Sequence, residues 1–371
     1  ISSIGTVCAS AVSMARITRS RRLYVGIIAE IRITGAMLKE ASKKFLYASG
    51  LLGFYHRIRN ANTLTVVMFH RVLPPDDPRW SSCDPDYTLA TAWLEASLAF
   101  FKRHYHVVSL QQVLDARRGK GSLPPRALLI TFDDGWSDNA DHALPALRRA
   151  DLPALMFVVS DAVGTRQPFF QEQLIGAWRR GALTVRELAS ALGATGEGDE
   201  SMATLRGLIA RLEDLDPARR ERVLAPFSGR LDDGHRHMVD VQDLHRLQQG
   251  DVALGLHGKT HTPMQRAADL DAELGGARAA LAAALGQPDA NAASMSFPHG
   301  SFDRDIAARA GEAGYELVFT SVPVLNPTAP QVGWLLGRTG FETDTVVDGH
   351  GRFRPDLLAL YLFRKPSRRL A

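Results

Sequence analysis

The chain has 371 residues, 45% of them apolar and 23% charged, which describes an ordinary globular protein of one large or two small domains. Net charge is +4, and residues 1–36 carry five Arg against one Glu, so the rest is electrically balanced and lacks the basic excess of a nucleic-acid-binding body. Two cysteines, Cys8 and Cys83, make no disulfide framework, and no apolar run reaches the length of a transmembrane helix.

Residues 1–36 contain a short apolar run, Val25–Ala29, broken by Glu30 and Arg32, which is not the pattern of a signal peptide. A disordered or upstream extension with the natural start near Met37 is expected, level with a processed or truncated terminus. Without a clear signal peptide, a cytoplasmic or peripheral membrane position is favoured, and a cell-envelope function stays open. Residues 37–61 read as an amphipathic helix. Leu38, Phe45, Leu46, Leu52, Tyr55 and Ile58 are spaced for one apolar face, with Lys39, Lys43, Lys44, Arg57 and Arg59 elsewhere. Packing of that face on the body is the expectation, and weak contact of residues 37–60 with a membrane surface is the alternative.

From residue 62 to 345 short apolar runs alternate with helical patterns. Strands are expected at Leu64–Phe69, His106–Ser109, Ala127–Phe132, Ala154–Ser160, Val252–His257, Ser294–Phe297 and Leu317–Ser321, with a Pro-rich loop after Phe69 through Pro85. Helices are expected at Trp93–Arg103, Ala140–Arg149, Leu270–Leu285 and Arg304–Ala313. This alternation predicts an α/β fold with a mainly parallel sheet. Residues 166–248, rich in Leu, Ala, Arg and Glu, interrupt it as a helical insertion, with a flexible break at Gly193–Glu200. The insertion either shapes a substrate groove or serves as a structural cap. Residues 346–371 form a C-terminal tail, helical at Asp356–Phe363.

Three strand ends carry the chemistry. Ala127–Phe132 empties into Asp133-Asp134-Gly135, a later strand into His257-Gly258-Lys259-Thr260-His261, and Met295-Ser296-Phe297 into Pro298-His299-Gly300. Strand ends of α/β sheets and barrels are where such folds place their sites. A carboxylate with two imidazoles suits a divalent metal with open positions. Each piece alone is weak, because Asp-Gly also makes hairpins and twelve histidines make a chance pair at this spacing ordinary. Neighbouring strand residues point to opposite faces, so Asp133 and Asp134 are expected to do different jobs.

The three motifs, in this order, resemble the polysaccharide deacetylase family, carbohydrate esterase family four, over roughly residues 62–340. The resemblance implies a distorted, incomplete (β/α) barrel and a metal-dependent hydrolase. Its substrates would be N-acetylated, and by extension O-acetylated, sugar residues of a polysaccharide or glycan. It implies Asp133 as general base and Asp134, His257 and His261 as ligands of one divalent ion, zinc first, with cobalt, nickel or manganese suiting the same donors. Pro298, His299 and Gly300 would supply the oxyanion and substrate contacts. Near the rim, Trp136, and with it Phe169 or Phe170, either stacks on sugar rings or packs as core or lid. Where family members carry tyrosine, this chain has His299. The family's late Leu-x-His motif has no counterpart after Gly300, whereas Met68-Phe69-His70 ends the first strand, resembling exopolysaccharide-acting members. His70 is therefore the expected general acid. The family's arginine before the third motif is also missing, and Arg338 is the expected substitute for orienting the base. A non-catalytic carbohydrate-binding relative and a metal hydrolase of a small amide are the competing functions.

Overall fold

The structure is a computed structural model that describes residues 39–193, 199–287, 292–341 and 343–364. The expected extension at 1–36, the middle of the Gly193–Glu200 break and the end of the tail lie outside the described residues.

Among the described residues, twelve strands follow one another along the chain. The first five are β1 (Thr63–Phe69), β2 (Arg71–Leu73), β3 (Thr88–Ala90), β4 (His106–Val107) and β5 (Ala127–Phe132). They are followed by β6 (Ala154–Val158), β7 (Val252–Leu256), β8 (Ser294–Ser296) and β9 (Leu317–Phe319). The last are β10 (Asn326–Pro327), β11 (Leu335–Leu336) and β12 (Thr339–Gly340). The order β1-β5-β6-β7-β8-β9-β11 is parallel throughout, as βαβ crossovers require. Closure comes from a single segment. At its start β11 pairs with β9, and two residues later β12 pairs with β1, so residues 335–340 bridge the two edges of the sheet. The kink between them needs Gly337, where a Cβ would lie 2.3 Å from Val324 Cγ2. Asn326 seals it, accepting from the Gly337 N–H at 2.8 Å and donating to the Leu64 carbonyl at 3.1 Å. The sheet is thus a nearly closed, distorted (β/α) barrel.

The period-two alternation of the strands sorts side chains between inside and outside. Leu64 and Val66, Ala127 and Leu129, Leu155 and Phe157, and Leu317 and Phe319 fill the barrel interior. Val67 and Phe69, Leu128 and Ile130, and Met156 and Val158 pack outward against the helices. Both faces are therefore dry, and β5 is buried at every position.

The insertion is helical: Phe170–Arg179, Val185–Ala191, Met202–Glu213, Pro217–Leu224 and Val241–Gln248. Leu174, Leu188, Leu205 and Leu212 give it a separate small core. The expected Pro-rich loop through Pro85 contains β2, which pairs in parallel with β3 just beyond it.

The N-terminal helix differs from its expectation in two ways. Gly50, at φ 79°, breaks it, so residues 39–48 and Leu51–Arg59 are separate helical pieces. Of the described residues of the expected inward face only Leu52 is buried, while Phe45, Leu46, Tyr55 and Ile58 stand exposed. The reason lies in His56, a polar residue outside the apolar pattern. It stacks on Phe363 at 4.0 Å and bonds to Asn60 at 2.8 Å and to the His104 carbonyl at 3.1 Å, which turns its own side of the helix inward.

Candidate metal and catalytic site

The barrel's inward series continue past the strand ends and deliver the site. After Ala127, Leu129 and Thr131 the next inward residue of β5 is Asp133. After Leu64, Val66 and Met68 the next of β1 is His70, and β8 contributes Ser294 and Ser296. Asp133 and His70 share one cavity of about 420 Å³ with Asp134, His257, His261, His299 and Arg338.

Asp133 is 2% exposed and held by Arg338 through two parallel bonds, Nη1 to Oδ1 at 2.6 Å and Nη2 to Oδ2 at 2.8 Å. Arg338 is itself fixed by donating Nε–H to the Thr320 carbonyl at 3.1 Å. Burial pushes the Asp133 carboxyl up, but the guanidinium outweighs it and the net pKa is below the usual carboxylate range.

Asp134 follows at φ 77°, in the left-handed region. That turn takes its carboxylate off the outward parity of the strand and toward the histidines. Nε2 of His257 and Nε2 of His261 each stand 3.3 Å from Asp134 Oδ1, and the three donor atoms lie within 4.8 Å of one another. The other oxygen, Oδ2, accepts from Trp136 Nε1–H at 2.9 Å. His257 Nδ1 lies 3.1 Å from the Ser296 carbonyl, which can only accept, so Nδ1 carries the proton and the Nε2 lone pair faces Asp134. A hard oxygen and two imidazole nitrogens converging on one point, with their far sides tethered, fit a divalent cation.

Two supporting residues belong to no motif. Ser296 Oγ lies 2.6 Å from His257 Nδ1 and donates toward Asp133 Oδ1 at 3.4 Å, linking ligand and carboxylate. Its one sequence signal is a polar residue in an apolar strand directly before Phe297-Pro298. Glu273 accepts from the Lys259 and Thr260 amides at 2.7 and 3.1 Å and fixes the loop that carries His261 at φ 65°. Nothing in the sequence marks it, since it lies on a helix a dozen residues downstream.

His70 opens on the cavity, with the edge of Tyr87 5.1 Å away. Its backbone carbonyl accepts from Asn139 Nδ2 at 3.0 Å, and Asn139 begins a π-helical turn, Asn139–Ala143. Burial lowers the His70 pKa, opposed by Asp134 and Asp133. His299 sits at φ 56°, its ring 4.6 Å from that of His261, and is held at about 4 by burial first and then by His261. Pro298 and Gly300 complete its turn. Trp136 is 2% exposed, with the Arg71 guanidinium over its ring at 4.5 Å and Phe169 against it. Its ring is a wall of the cavity whose donor holds Asp134, and too little of it is open for a sugar to stack on.

The insertion supplies the opposite wall: Phe169, Glu172, Arg206 and Glu213 line the cavity. A second basin of about 460 Å³ adjoins the first, with Phe169, Gln171, Glu213 and His261 lining both.

Comparison with known proteins agrees with this geometry. The family model described as polysaccharide deacetylase matches residues 120–197. A poly-beta-1,6-N-acetyl-D-glucosamine N-deacetylase of Staphylococcus epidermidis is 27% identical over 132 residues, 35% of this chain and 43% of the relative. One from Staphylococcus aureus is 28% identical over 127 residues, 34% of this chain and 41% of the relative. The alignments thus span less than half of either relative. Among solved structures, the Streptococcus pyogenes deacetylase PplD in complex with acetate has a TM-score of 0.51 at 13% identity, covering 81% of this chain and 98% of that one. IcaB from Ammonifex degensii has a TM-score of 0.50 at 18% identity, covering 81% and 97%. These two likenesses show a shared fold. With the family match over residues 120–197 and the three motifs assembled at one rim, the chain resembles the polysaccharide deacetylase family.

Proposed function

We propose that the protein is a metal-dependent hydrolase that removes acetyl groups from N-acetylated sugar residues of a polysaccharide. The observation that carries this reading is the pairing, in one cavity, of a buried carboxylate gripped by Arg338 with the convergent donors of Asp134, His257 and His261. A divalent ion held by those three residues would polarise the acetyl carbonyl and lower the pKa of water toward neutrality, which is the chemistry amide hydrolysis needs. Zinc is the expected ion, and cobalt, nickel and manganese suit the same donors.

The remaining work falls to the chain's own groups. Asp133 takes the proton of the attacking water. Arg338 keeps that carboxylate ionised and fixes its plane, leaving each oxygen a further lone pair. Trp136 stops Asp134 from rotating by occupying its second oxygen. The backbone N–H at His299 meets the negative charge that develops on the carbonyl oxygen. His70, on β1, delivers the proton to the departing amine.

Two adjoining basins support a polymer over a small amide, because together they offer room for more than one sugar. The staphylococcal relatives point to a β-1,6-linked N-acetylglucosamine chain. The test is acetate release from a panel of N- and O-acetylated glycans, before and after chelation and with each ion restored. Metal-dependent release from the β-1,6-linked polymer, lost in Asp133→Asn, is the expected result. Binding without any release would leave a carbohydrate-binding protein, and release only from monomeric amides would leave a small-amide hydrolase.

A further inference from the structure

The two helical pieces at 39–59 carry an apolar surface that the fold does not use. Of the large apolar side chains exposed among the described residues, all but Tyr87 and Val322 lie here, with Phe45 at 67%, Ile58 at 65% and Phe54 at 64% exposure. On Leu51–Arg59 the exposed large apolar residues are Leu51, Phe54, Tyr55 and Ile58, at spacings of three and four, which is one helical face. The helix already has its core contact on the other side through Leu52 and His56.

Beside this face lies a groove of about 560 Å³ between the helix and Thr91–His104, lined by Tyr47, Arg57, Arg103, His104 and Arg126 and by no acid. Among the described residues, no carboxylate pairs with any of these three arginines. Their field registers on His104, held at about 4 by burial first and then by Arg103, Arg57 and Arg126. Elsewhere on the surface arginine is commonly paired, as Arg118 is with Glu316 and Arg230 with Glu187.

We propose that residues 39–59 dock the protein on an anionic lipid bilayer, with Phe45, Leu51, Phe54 and Ile58 in the headgroup boundary and Arg57, Arg103 and Arg126 on lipid phosphates. An apolar face flanked by cations is what such a surface binds. Charge argues against the other occupants. Residues 1–38 hold five Arg and one Glu, the same sign as the groove. A second copy related by a twofold axis would bring one basic groove against another.

The experiment is sedimentation of the full chain with vesicles of phosphatidylcholine alone or mixed with phosphatidylglycerol. Binding to the mixed vesicles only, weakening as salt is raised, is expected. Arg103→Gln should lower affinity about fivefold. Phe54→Ser with Ile58→Ser should abolish binding while melting as wild type. Equal binding to neutral vesicles, or none to either, overturns the proposal. So does undiminished binding by the Phe54→Ser, Ile58→Ser protein, which would assign the contact to residues 1–38. A concentration-dependent dimer that this double variant abolishes would assign the face to a second copy instead.

Discussion

Arg338 and Asp133 meet through a bidentate pair across 205 residues of sequence, and the segment that carries Arg338 is the one that closes the barrel. Closure and base orientation are therefore one structural event. The 335–340 bridge must bond to β9 and β1 together before the guanidinium can reach the end of β5. Arg338→Ala leaves a buried carboxylate without its partner and should destabilise the protein by about 3–5 kcal/mol in denaturant unfolding. Arg338→Lys keeps the charge but loses the fork. It should fold and bind metal while turnover falls on the order of 10²-fold, the cost of a misplaced base. Full turnover in the lysine variant would show that Asp133 does not depend on two-point orientation.

The metal reading makes a graded prediction. His257→Ala and His261→Ala each remove a ligand and should abolish binding of one divalent ion per chain, read by elemental analysis of the folded protein. Ser296→Ala removes only the hydroxyl contact to His257 Nδ1, since the Ser296 carbonyl remains as acceptor. Loss of such a supporting partner typically costs 10–100-fold in affinity, so a competitive chelator titration should place this variant between wild type and the ligand knockouts. Equal metal content in wild type and both histidine variants would sink the assignment.

Glu172 gives a pH test that is read from unfolding alone. It is buried against the cavity, 3.4 Å from Arg71 Nη1, and accepts the Asp84 N–H at 3.2 Å. Burial pushes its carboxyl up to about 7, with Arg71 opposing. The folded state therefore keeps a proton that the unfolded chain releases near 4.5. The associated stability is fully present below that value and is lost as pH rises through about 7. The whole difference is worth on the order of 3 kcal/mol. Glu172→Gln cannot titrate, so its unfolding free energy should fall less between pH 4.5 and 8 than that of wild type. Identical declines in urea unfolding would show that Glu172 is ionised throughout.

What could be read from the sequence follows from where each contact is made. The β5 strand and its Asp133-Asp134 end stand out because burial on both faces demands an unbroken apolar run that stops at the rim. His257 and His261 are visible as a pair because one tight loop holds both. Ser296 and Glu273 act across strands or between a loop and a distant helix, so no local pattern records them. Arg338 could be named only by elimination, and the kink at Gly337 that aims it is a tertiary feature. At residues 51–59 the period was right and the face was wrong. A buried His56, satisfied by Asn60, the His104 carbonyl and Phe363, outweighs a stripe of larger apolar residues, and hydropathy alone ranks those the other way.

His70 is the most exposed of the assignments. Its motivation is positional: the inward series of β1 reaches the rim at His70, in the same cavity as Asp133 and the metal donors, and Asn139 anchors its backbone. If it protonates the leaving amine, it matters in proportion to how much the leaving group needs a proton. An acetamide expels a poor leaving group, whereas an activated aryl acetate expels a stable phenolate. His70→Ala should therefore lower turnover on an N-acetylated sugar on the order of 10²–10⁴-fold and leave the aryl acetate much less affected, with metal content and melting temperature unchanged. Equal losses on the two substrates would make His70 a structural residue. Loss of metal in the same variant would instead draw it into the ligand set, and the proton would then have to come from another group.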